Sequence, residues 1–72
     1  MTQKDLNIIR ATAKGFSEAL DLLSSDYGDA ALSEALCQLQ EPGPKVLRSR
    51  DIGYLAAMYL AWQQRGCPDL LT

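Results

Sequence analysis

From Ile52 to Trp62 the chain reads IGYLAAMYLAW, eleven consecutive residues without a charge. Ile52, Leu55, Tyr59 and Trp62 follow spacings of 3, 4 and 3, which is one stripe of an α-helix. Tyr54, Met58 and Ala61 form a second stripe, and Ala56 and Leu60 extend a third side. A helix that is apolar all round is either buried on every side or shares a side with something outside its own chain. The run is too short to span a bilayer, which takes ~20 apolar residues.

The rest of the chain decides between those two outcomes. It has 72 residues, enough for one domain, 1–72. A chain of this length buries only ~60% of the surface that it exposes when unfolded. Its 23 large apolar side chains exceed what so small a core encloses. Surplus apolar surface is therefore expected on the last helix, and Tyr, Trp and Met are residues that partner surfaces favour.

Helix signals elsewhere predict three helices, at about 3–24, 29–40 and 51–65. In the first, Leu6, Ile9, Ala13, Phe16, Leu20 and Leu23 make an unbroken stripe read as its inward face. Thr2 and Asp5 have the spacing of a capping box. Gly15 interrupts the helix at about 1 kcal/mol against Ala, and is either merely tolerated there or admits a close backbone approach. Ser24 to Asp29 is turn chemistry, with Gly28 suited to a left-handed position and Asp26 or Asp29 to a cap. Leu32, Leu36 and Leu39, with Ala35, are the expected inward face of the second helix. Cys37 beside them is expected to be a buried thiol. Pro42-Gly43-Pro44 ends that helix and begins an extended connector, on which Val46 and Leu47 are expected to pin the chain to the bundle. Ser49 is a fair cap for the last helix, and Arg65, Gly66 and Pro68 signal its end. The fold class is all-α: a small three-helix bundle.

Catalysis and cofactor chemistry find no residues to use. The chain has no histidine, the commonest general base and nitrogen ligand. Cys37 and Cys67 alone cannot complete a structural zinc site, and no glycine-rich phosphate loop is present. No catalytic residue, metal ligand, cofactor or small-molecule substrate is assigned. Cys67, between Gly66 and Pro68, is the one conceivable nucleophile and is poorly held. The polar start MTQKDLNIIR does not resemble a signal peptide, which points to a cytoplasmic protein with reduced thiols. A Cys37–Cys67 bridge is the alternative in an oxidising compartment.

Function is therefore expected to lie in binding. The expected contact set is Tyr54, Met58, Tyr59 and Trp62, with Arg48 and Arg50 fixing orientation. Its partner is another protein or a second copy, a homodimer whose third helices the Pro42-Gly43-Pro44 hinge would let swap. An adaptor, a chaperone-like protein or an inhibitor would all work this way. Charge is uneven: six acids and no base from Glu18 to Glu41, three bases and no acid from Lys45 to Arg50. The acidic tract is a possible second docking surface. A dimeric helix-turn-helix regulator of DNA is the alternative reading. Against it stand a connector of about ten residues where that motif uses about 3–4, a last helix with no Arg, Asn or Gln before Gln63 to read bases, and a net charge of −2.

Overall fold

A computed structural model describes residues 1–41, 43 and 46–67 of the chain. The described residues form three helices: α1 (Gln3–Leu23), α2 (Gly28–Gln40) and α3 (Ser49–Gln64). The all-α, three-helix reading holds, with boundaries within two residues of those expected.

The ends of the helices follow local chemistry. At α1 the Thr2 Oγ1 accepts from the Asp5 N–H at 3.1 Å, and the Asp5 carboxylate accepts from the Thr2 N–H at 3.2 Å. Two amide donors with no partner inside the helix are thereby satisfied, which stabilises the helix by about 1 kcal/mol. At α3 the cap is Arg48 rather than Ser49: its N–H donates to the Asp51 carboxylate at 3.1 Å, so the first-turn acid does the capping. The far end of α3 closes with paired bonds, Gly66 N–H to Gln63 C=O and Cys67 N–H to Trp62 C=O, with Gly66 at φ 82°. That is the Schellman arrangement, and Gly66 supplies the left-handed step it requires.

Gly28 departs from expectation. It opens α2 with no left-handed turn, is buried, and a methyl group there would lie 2.6 Å from the Leu23 carbonyl oxygen. Neither Asp26 nor Asp29 caps α2, whose N-cap position is Tyr27. The close return of the chain onto the end of α1, not a turn angle, explains the glycine.

The core is Ala19 on α1, Leu32, Ala35 and Leu36 on α2, and Leu55, Ala57, Met58 and Ala61 on α3. Leu32 and Met58 are its largest fully enclosed side chains. Burial of each removes enough apolar area to contribute about 1.5–3 kcal/mol. Leu39, expected inward, is half exposed, whereas Leu36 three residues earlier is buried. Cys37 is exposed, not buried, and both thiols are free. Val46 is almost fully exposed and Leu47 nearly half exposed, so they pin nothing. Of the Pro42-Gly43-Pro44 hinge, only Gly43 lies among the described residues; it takes φ 100°.

The main correction concerns how α1 meets α3. Its contact with α3 is made by small residues. Gly15 and Ala19 are the buried positions of α1, and Gly53, Ala57 and Ala61 lie one turn apart along α3. A methyl group on Gly15 would fall 1.9 Å from the Arg50 carbonyl oxygen, and one on Gly53 would fall 1.9 Å from the Thr12 carbonyl oxygen. The two backbones therefore touch, which only glycine permits. The start of α3 lies beside Thr12 and Phe16, and its end lies beside Leu23 and Ser24, so the helices run in the same direction.

Candidate interaction surface

Because the small residues of α1 take the contact with α3, its large residues are displaced. Of the stripe read as inward, Ile9, Ala13, Phe16 and Leu20 line an open apolar groove together with Ile8, Thr12 and Ser17, while Phe16 and Leu23 also pack against the core. Ile9 and Leu20 are each about half exposed, 49% and 48%, where a core position would be near zero. A second groove runs between α1 and α3 past Phe16, Leu20, Leu23, Ala57, Leu60 and Arg65. Phe16 and Leu20 belong to both, so the two grooves are one continuous surface. No described residue of α2 lines either groove. The second helix covers one side of the α1–α3 pair, and the other side is bare.

The six residues expected to form a contact set do not come together. Met58 is fully buried and offers no surface. It belongs to the same core cluster as Leu32 of α2, where a flexible thioether fits irregular space. Tyr59 is nearly half exposed and Trp62 half-buried; their rings pack at 5.8 Å between centroids and 46° between planes. Tyr54, Arg48 and Arg50 line a different, polar cleft with Glu18, Glu34, Gln38 and Asp51.

An ion pair spans that polar cleft. The Arg50 guanidinium donates through Nε to Glu18 Oε2 at 3.0 Å and through Nη2 to Glu18 Oε1. This two-point geometry spans α1 and α3 beside Gly15. The hydrogen bond to Glu18, together with its charge, raises the Arg50 pKa further above its already high ordinary value. Burial pushes the Tyr54 phenol up, and the nearby Glu34 and Glu18 carboxylates push it the same way. Arg50 is therefore committed within the protomer, while Arg48 stays exposed at the rim.

Among the described residues no cluster of His, Cys, Asp or Glu is placed to hold a metal ion, and no helix is long and apolar enough to cross a membrane. Spacing alone does not reveal the exposure of Ile9 and Leu20, because α1 carries two apolar stripes, one mostly of large residues and one of small, and either could face inward. The spacing of four in Gly15-Ala19 and Gly53-Ala57-Ala61 was the available signal. No protein-family model, curated protein or solved structure matches this chain.

Proposed function

We propose that the protein is a small helical interaction module that works by occupying a surface of another protein chain through the bare side of its α1–α3 pair. One observation carries this reading: an apolar surface running from Ile8 through Phe16 and Leu20 to Leu60 that α2 does not cover. Continuous apolar surfaces on small proteins are usually binding surfaces, because leaving them in water costs stability and solubility.

Binding to DNA gains no support from this geometry. The basic residues Arg48 and Arg50 share their cleft with three acids, and Arg50 is already paired with Glu18. Adaptor, chaperone-like protein and inhibitor differ only in what the partner does, and all use the same surface.

The test is a photo-crosslinking side chain placed in turn at Leu20 and at Gln40 on the exposed end of α2, in cells that carry the protein. A defined adduct from Leu20 and none from Gln40 is expected. Equal or absent labelling at the two positions would overturn the reading.

A further inference from the structure

The bare surface has features that select its occupant. Along α1, Leu6, Ile9, Ala13, Phe16, Leu20 and Leu23 alternate at 3 and 4, the seam spacing of paired helices. Two of the charges on α1 border this seam, Arg10 before its midpoint and Asp21 beyond it. At 100° per residue, Arg10 and Asp21 fall on the same flank of the seam, the flank away from α3. A second α1 laid antiparallel on the first brings Arg10 toward Asp21 of the partner subunit, and a parallel one keeps the two apart.

We infer that the occupant of this surface is a second copy of the chain, paired antiparallel through α1 about a two-fold axis near Ala13 and Phe16. The inference rests on the interaction reading and names its partner. A two-fold contact uses the same patch on both copies, so every apolar residue is matched without a second complementary surface. The two α1–α3 pairs then stack as a four-helix core around Phe16, Leu20 and Leu60, with each α2 on the outside. Arg10 of one copy comes within reach of Asp21 of the partner subunit.

Sedimentation equilibrium on the purified full chain tests this. A particle of twice the 7.9 kDa chain mass is expected. Leu20→Glu is expected to sediment as a monomer with unchanged helicity, because Leu20 is half exposed in the protomer. Arg10→Glu and Asp21→Arg are each expected to weaken association about tenfold or more, and the double exchange to restore most of it. Restoration supports antiparallel pairing; weakening that adds up in the double variant overturns it. A wild-type monomer at high micromolar concentration overturns the second copy as occupant. The Leu20 crosslink distinguishes the two proposals: an adduct to a different protein from a chain that is monomeric alone leaves the interaction reading standing, and no adduct ends both.

Discussion

Gly15 and Gly53 occupy equivalent places on the two faces of one helix contact: a Cβ on either would meet the opposite backbone carbonyl at 1.9 Å, on Arg50 and Thr12 respectively. Each carbonyl oxygen lies within range of the glycine Cα–H, a weak favourable contact that recurs where helices approach this closely.

This contact reverses the usual sign of a glycine substitution. Gly→Ala inside a helix ordinarily stabilises by about 1 kcal/mol. Gly15→Ala and Gly53→Ala are each expected to destabilise by about 1–3 kcal/mol, because α1 and α3 must move apart to admit the methyl group. The two costs should not add, since one separation accommodates both. Urea denaturation of the single and double variants measures this. A stabilised Gly15→Ala would mean that the helices do not touch there.

Much of this architecture is legible in the sequence, and the reason it is not all legible is instructive. Thr2, Asp5, Asp51 and Gly66 act through neighbours three to five positions away, so local spacing suffices to read them. Leu32, Ala35 and Leu36 were placed correctly because α2 has one apolar face. The direction in which α1 faces is set by long-range competition. Its large stripe would bury more area, but its small stripe allows a backbone contact with Gly53 that large residues forbid. Nothing within α1 settles that competition. The expected surplus of apolar surface is present on Tyr59 and Leu60, yet it lies as much on Ile8, Ile9 and Leu20, while Met58 is enclosed.

Met58 and Tyr59 are neighbours with opposite consequences. Met58→Ala empties a fully buried site and is expected to cost about 2–5 kcal/mol, enough to unfold much of so small a domain. Tyr59→Ala removes a half-exposed ring and is expected to change stability by well under half of that. Thermal unfolding of both variants separates a core role from a surface role; equal losses would contradict this placement.

Tyr54 makes alkaline stability partly its own. Burial raises its folded pKa above the unfolded value, so the neutral phenol stabilises the fold fully below about pH 10, and that contribution is lost as pH rises through the folded pKa. Tyr54→Phe is expected to show a shallower loss of melting temperature between about pH 9.5 and 11.5, a window set by the ordinary tyrosine value. An unchanged slope would show that the phenol is equally solvated in both states.

Both thiols are open to solvent. An aromatic disulfide reagent is expected to titrate two cysteines per folded chain without denaturant, Cys37 included. A single fast thiol would restore the buried position that the sequence suggested for Cys37.

The account turns on which side of the molecule meets its partner, and hydroxyl-radical footprinting tests that directly. Oxidation would be compared between dilute purified protein and the same protein inside cells that carry it. The expected result is loss of oxidation at Phe16, Leu20 and Leu60 in cells, with Tyr27 and Leu39 oxidised equally in both. Protection of Tyr27 and Leu39 while Phe16, Leu20 and Leu60 stay fully reactive would contradict it.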